Sequence, residues 1–272
     1  NITVYLDGSG NASITAVDVD GGSIDNCSIS SYGISPSTFT CADKGTNNVT
    51  LTVTDGSGNS NTATATVTVS DTTGPSAVAQ NITIYLDATG NASLTASDVD
   101  GGSTDNCGID SLLINKTSFT CSDIGANAVT LTAKDGSGNS NTASTTITVS
   151  DTTAPTAVAQ NITIYLDGTG NGTITGGDVD NGSSDNCSIS SYGLSQSSFT
   201  CADIGANSVT LTVTDGSGNS STATATVTVS DSTAPSAVAQ NITIYLDATG
   251  NASITASDVD GGSTDNCGID SL

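Results

Sequence analysis

The chain has 272 residues and carries 27 acidic side chains, all aspartate, against Lys44, Lys116 and Lys134 and no arginine, a formal net charge of −24. Nucleic-acid backbones and anionic membrane surfaces both require cationic partners, so neither is expected to bind it. With no His and no Glu, a Ser–His–Asp triad cannot form, and no apolar run approaches the ~20 residues of a membrane-spanning helix, so no membrane insertion is expected.

A fixed internal period overrides any domain count taken from length alone. The stretch Asp18 to Cys27, followed by Phe39–Thr40–Cys41, returns as Asp98 to Cys107 with Cys121, as Asp178 to Cys187 with Cys201, and as Asp258 to Cys267, always at the same interval. Asn1 starts inside a strand pattern and Leu272 ends in mid-copy, so the sequence reads as a window on a longer array. Units of this size bury only a modest core and benefit from a covalent staple.

In chain order, Ile2, Val4 and Leu6 alternate with amphipathic or polar neighbours, the pattern of a strand with one buried face. Gly8–Ser9–Gly10–Asn11 is a turn, after which Ala12, Ile14 and Ala16 resume the alternation. Val19 falls out of phase, which places a bulge or strand end where Asp18 and Asp20 begin. After Cys27 a weakly patterned segment, with Tyr32 and Pro36, reads as a short strand and a connection. Phe39 and Cys41 share one face. Val49, Leu51 and Val53 then alternate with threonines, Asp55–Gly56–Ser57–Gly58–Asn59 turns the chain, and Ala63, Ala65, Val67 and Val69 form the partner strand. No helical period occurs. The expectation is all-β: tandem antiparallel β-sandwiches strung into an extended rod. Asp71–Thr72–Thr73–Gly74–Pro75 and its echoes at Asp151 and Asp231 mark the joins, where proline cannot continue a ladder. They give copies at 1–74, 75–154 and 155–234, with a partial one at 235–272.

The cysteines read as three pairs within copies, Cys27 with Cys41, Cys107 with Cys121 and Cys187 with Cys201, leaving Cys267 for a partner beyond the end. Free buried thiols are the alternative. No histidine or second nearby cysteine completes a zinc site. Oxidised pairs imply an exported protein.

The acidic loops offer a second chemistry. Ca²⁺ takes six to eight oxygens, and closely spaced carboxylates in a glycine-rich loop can supply them. The expected ligands are Asp98, Asp100 and Asp105, with Asn106 or backbone carbonyls completing the shell, and Asp18, Asp20 and Asp25, Asp178, Asp180 and Asp185, and Asp258, Asp260 and Asp265 in the other copies. A second candidate is the join, with Asp151 against the turn holding Asp135 and Asn139. The competing reading has these side chains capping turns by bonding nearby backbone. The chain is not expected to be an enzyme: its paired aspartates lie on repeated surface loops, and no phosphate-binding loop is present.

The Thr–Asp–Asn–Cys–Gly of residues 104–108, the Asp135–Gly–Ser–Gly–Asn turn, the Thr/Ala/Val strand after it and the closing Asp–Thr–Thr–Ala–Pro resemble the hyalin-repeat (HYR) domain, an immunoglobulin-like module. The wording Ile–Tyr–Leu–Asp–Ala–Thr–Gly–Asn–Ala–Ser and Phe–Thr–Cys–Ser–Asp–Ile–Gly–Ala–Asn is similar to repeats of giant cell-surface adhesins of gliding flavobacteria. That resemblance implies an extracellular, cell-surface filament exported by a type 9 secretion system, and partners in the gliding or secretion machinery. It also implies O-glycosylation at Asp–Ser/Thr sites: Thr72, Thr152 and Ser232 at the joins, with Ser111 and Ser271.

Near-identical copies point to a spacer in which neighbouring repeats are one another's partners and repetition supplies length. The competing class is a module that itself grips extracellular polysaccharide or protein. The absence of Trp and the scarcity of other aromatic residues for sugar stacking argue against it.

Overall fold

The computed structural model describes residues 1–272. In the first copy the alternating segments become β1 (Ile2–Tyr5), β2 (Asn11–Ser13), β3 (Ile29–Ser35), β4 (Thr38–Thr40), β5 (Gly45–Asp55) and β6 (Ser60–Ser70). The strands form a four-stranded sheet of order β1-β6-β5-β3 and a two-stranded sheet of β2 and β4. The β5–β6 hairpin follows the sequence pattern. Its turn closes through Asp55 N–H to Asn59 O at 2.9 Å and Gly58 N–H to Asp55 O at 3.3 Å, with Gly58 in the left-handed region at φ 88°.

Two features depart from the sequence reading. The sheet is not wholly antiparallel: β1 runs parallel to β6, with Ile2 opposite Val67 and Val4 opposite Val69. A parallel neighbour needs a long connection, and here that connection is nearly the whole copy, including the second sheet. The other departure is a helical turn, α1 (Ala16–Val19), where the strand was expected to continue. The Asp18 carboxylate accepts from both the backbone N–H and the hydroxyl of Thr15, at 2.6 and 2.8 Å. This local cap pulls the chain out of the sheet after Ser13. Val19 is out of phase because it closes a helical turn.

The second copy repeats the arrangement in β7 (Ile82–Tyr85), β8 (Asn91–Ser93), α2 (Ala96–Val99), β9 (Ile109–Ile114), β10 (Ser118–Thr120), β11 (Gly125–Asp135) and β12 (Ser140–Ser150). The third does so in β13 (Ile162–Tyr165), β14 (Asn171–Thr173), α3 (Gly176–Val179), β15 (Ile189–Leu194), β16 (Ser198–Thr200), β17 (Gly205–Asp215) and β18 (Ser220–Ser230). After the proline of each join the chain pairs briefly with the acidic loop, Ser76 opposite Thr104 and Ala79 opposite Asp100, then Thr156 opposite Ser184 and Ala159 opposite Asp180. In the fourth stretch the turn α4 (Ala256–Val259) forms. Ile242, Ile244 and Leu246 stay exposed there, and residues 242–245 form no strand.

The chain is therefore a series of tandem β-sandwich repeats. Contacts group residues 1–86 with 91–150 into one compact unit and residues 87–90 with 151–272 into another. In the first, Leu6, Ile14, Phe39, Val49, Val67 and Val69 pack one core, drawing on both sheets, and Cys41 and Cys107 lie against it. In the second, Phe199, Val209, Leu211, Val227 and Val229 do the same, with Cys201 and Cys267 against them. Fully burying side chains of this kind contributes about 1.5–3 kcal/mol each.

Candidate metal centre

The cysteines pair across copies, not within them. Cys41 is bonded to Cys107 and Cys201 to Cys267, each pair separated by 66 residues, with Cα–Cα distances of 5.3 and 5.2 Å. Cys121 and Cys187 are disulfide-bonded too, while Cys27 is free and exposed. The expected pairs Cys27–Cys41, Cys107–Cys121 and Cys187–Cys201 are thus overturned, and Cys267 finds its partner inside the chain. The physical reason lies in where Cys41 ends up. Its Sγ sits beneath the Gly10 turn, 3.4 Å from the backbone oxygen of Asn106, so the neighbouring copy delivers Cys107 to it. Gly10 leaves no room for a side chain: a Cβ there would meet Cys41 Sγ at 2.6 Å and Asn106 O at 2.8 Å.

The acidic loops divide their work. Asp98 accepts from Thr95 N–H and hydroxyl, and Asp178 and Asp258 do the same with Thr175 and Thr255. Asp100 accepts from Ser103 N–H and hydroxyl; Asp20, Asp180 and Asp260 accept from the N–H groups of Ser23, Ser183 and Ser263. Hydrogen bonds from these hydroxyls and amides hold the Asp98, Asp100, Asp178 and Asp180 carboxyls below the ordinary carboxylate value. These positions are turn-formers, the competing reading of the loop. The structure does not gather Asp98, Asp100 and Asp105 into one ligand set.

Asp105 goes elsewhere. Its Oδ2 accepts from Cys107 N–H at 2.8 Å, and its side chain turns to Asp71 and Asp135. One oxygen from each of the three carboxylates lies within 4.8 Å of the others. Asp71 directly follows β6 of the first copy, whereas Asp135 ends β11 of the second. Asp151, Asp185 and Asp215 make the same cluster in the second unit. The sequence placed a join aspartate against a turn of this kind but chose the wrong pair: Asp135 gathers with Asp71, and Asp151 with Asp215.

The surrounding bonds fix the first cluster. Asn139 Nδ2 donates to Asp71 O, Thr73 O and Asp135 Oδ2 at 3.2, 3.3 and 2.7 Å. Asn106 Nδ2 donates to Asp7 O at 2.9 Å and Asp71 Oδ1 at 3.3 Å. Ser137 Oγ donates to Asp71 Oδ2 at 3.2 Å and accepts from Lys44 Nζ at 3.1 Å, so the lysine stands one hydroxyl away from the carboxylates. Burial works against the charge on Asp135 and Asp215. Bonds from Asn139 and Asn219 outweigh it and leave both carboxyls below their ordinary value. Asp71, Asp135, Asp151 and Asp215 are only 5, 3, 5 and 3% exposed. Like charges this close repel by roughly 4 kcal/mol per pair at an effective dielectric near 20. The sequence reading placed Asn106 only within its own loop, not against Asp71, and did not name Asn186. The signal was the Asp–Asn–Cys string, unchanged in all four copies.

In the first copy Asp25 has no such partners: it caps the N–H groups of Cys27 and Ser28 and is exposed. Asp265 accepts from Cys267 N–H, and Asn266 Nδ2 donates to Asp231 Oδ1 at 3.2 Å. Among the expected glycan acceptors, Thr72, Thr152, Ser232 and Ser271 are exposed, while Ser111 is half-buried in β9.

No protein-family model matches the sequence, and no curated protein does. Solved structures are similar at low identity. Protocadherin gamma B7 extracellular cadherin domains 1–4 align over 89% of this chain and 78% of theirs, at 10% identity and a TM-score of 0.32. The protocadherin gamma B4 extracellular domain aligns over 86% of this chain at 16% identity and a TM-score of 0.33, and the chain spans 49% of its length. An I-band fragment from titin aligns over 84% of this chain and 96% of its own length, at 12% identity and a TM-score of 0.40. The β-sandwich assignment itself stands on the sheets described above.

Proposed function

We propose that this chain is the stalk of a secreted, extracellular cell-surface adhesin filament, a structural region that carries an adhesive tip away from the cell for attachment or gliding. The observation that carries this reading is the Cys41–Cys107 bridge, which joins one copy to the next through a covalent bond besides the main chain. A free-standing binding module needs a staple within itself. A stalk under tension needs one between its parts. The repeats are then one another's principal partners, with boundaries at 74, 154 and 234, and disulfides fit an oxidising, extracellular setting. The gliding or type 9 secretion machinery is the cellular partner in this reading. Exposed Thr72, Thr152 and Ser232 at the joins are its glycan acceptors. Ca²⁺ is its cofactor, and it has no catalytic role.

One observation favours the alternative, repeats that grip polysaccharide or protein directly. Tyr5, Tyr85 and Tyr165 stand 62, 62 and 65% exposed at the matching position of the first three copies, as platforms on which sugar rings stack. Retention of this chain on polysaccharide and on glass, compared with the whole adhesin, separates the two. The stalk reading expects negligible retention, unchanged when the three tyrosines become alanine. Retention matching the whole adhesin and lost with those tyrosines would replace the stalk by the binding module.

A further inference from the structure

We propose that Asp151, Asp185 and Asp215 hold one Ca²⁺ ion, and that Asp71, Asp105 and Asp135 hold a second. Each trio places three carboxylate oxygens within 4.8 Å, about the distance across a Ca²⁺ shell whose oxygens stand ~2.4 Å from the ion. A cluster of acids alone would not justify an ion. The second observation is what these oxygens lack. Asp151 is 5% exposed, yet its Oδ2 has no hydrogen-bond donor, and neither does Asp185 Oδ1. In the other trio Asp105 Oδ1 is equally without a donor, as is the amide oxygen of Asn106 beside it. Asn106 turns its nitrogen to Asp7 and Asp71 and leaves its oxygen as a further ligand. Buried polar oxygens are almost always paired. The unpaired ones of Asp105, Asn106, Asp151 and Asp185 lie at the two trios, where a cation would satisfy them together, and Asp265 and Asn266 repeat the pattern beside Asp231.

The donor set selects the ion. It is all oxygen, mostly charged, and drawn from turns and loops, which suits the irregular six- to eight-fold shell of Ca²⁺ better than the strict octahedron of Mg²⁺, and it offers zinc no nitrogen or sulfur. No internal cation serves instead in the second unit, since all three lysines lie in the first. Calcium binding rests on the buried oxygens and survives if the stalk reading fails.

The test is calorimetric titration of the whole oxidised chain, stripped with EGTA, using CaCl₂ with MgCl₂ as control. The result expected is two Ca²⁺ per chain, with Kd between roughly 10⁻⁵ and 10⁻³ M, and little heat from Mg²⁺. Asp185→Asn should remove one site and spare the other, which also reports that the fold survives. Asp25→Asn, at the matching position of the first copy, should remove neither. Wild-type chain in millimolar Ca²⁺ should melt several degrees higher than in EGTA, a readout that needs no variant. No binding up to about 5 mM Ca²⁺, no change in melting, or two sites surviving in Asp185→Asn would each overturn the proposal.

Discussion

Reducing the Cys41–Cys107 bridge should lengthen the chain under force by a predictable amount. The bridge holds its two Cα atoms 5.3 Å apart across 66 residues. Released and stretched at ~3.4 Å per residue, that segment spans about 220 Å. In the oxidised chain, force enters at Cys41 and leaves at Cys107 through sulfur, so the β5–β6 hairpin between them is never pulled open. Bridge closure also stabilises the fold by about 4 kcal/mol in the chain-entropy model, more than the roughly 3 kcal/mol of a 15-residue loop. Single-molecule force spectroscopy on the chain, held by its ends, reads the length directly. With TCEP, the total contour length released should exceed the oxidised value by about 220 Å for each such bridge. A gain of only about 50 Å per bridge would mean that Cys41 pairs with Cys27 instead. No gain would mean that no bridge forms, and either result refutes the cross-copy staple.

At Gly170 the backbone is left-handed at φ +75°, and a Cβ would lie 2.6 Å from Cys201 Sγ and 2.9 Å from Asn266 O; Gly170→Ala should cost about 2–4 kcal/mol in urea unfolding. Gly168→Ala, with nothing within 4 Å, should fall within about 0.5 kcal/mol of wild type, and equal effects at the two sites would contradict the packing beneath the turn. The melting temperature should fall as pH drops below about 4, where aspartates take up protons. The hydrogen bonds from Thr95 and Thr175 lower the folded pKa of Asp98 and Asp178. Their contribution is therefore complete above the unfolded value near 3.9 and lost as pH falls through the folded one. A melting temperature unchanged down to about pH 2 would count against this account.

How much of this was legible in the sequence depended on how far apart the interacting residues lie. The β5–β6 hairpin and its Asp55–Asn59 turn were plain, because strand alternation and turn chemistry are local. The helical turn at Ala16–Val19 was local as well, and the Thr15 and Asp18 spacing announces it; the alternation of Ile14 and Ala16 concealed it. Cysteine connectivity was not legible. The short spacing within a copy and the long one between copies repeat equally well along the array. Preferring the shorter loop is worth only about 1.4 kcal/mol in closure entropy, too little to decide a pairing that tertiary contact controls.

The acidic clusters were hidden for the same reason. Asp71, Asp105 and Asp135 come from three separate elements, and the loop reading grouped the aspartates nearest in sequence. What assembles them is contact between copies, and the first unit contains its own comparison. Asp25 and Asp55 occupy the positions of Asp105 and Asp135 but have no join aspartate facing them. Asp25 is exposed and Asp55 half-buried, whereas Asp105 is half-buried and Asp135 buried. The same contrast holds for sulfur: Cys27 is free, and Cys107 is bonded. Bridge and carboxylate cluster therefore form only where one copy meets the next. A point substitution in this contact should weaken the coupling between copies before it weakens the sandwich of either, since Phe39, Val49 and Val67 are buried in the centre of their core and Cys41 and Cys107 only border it.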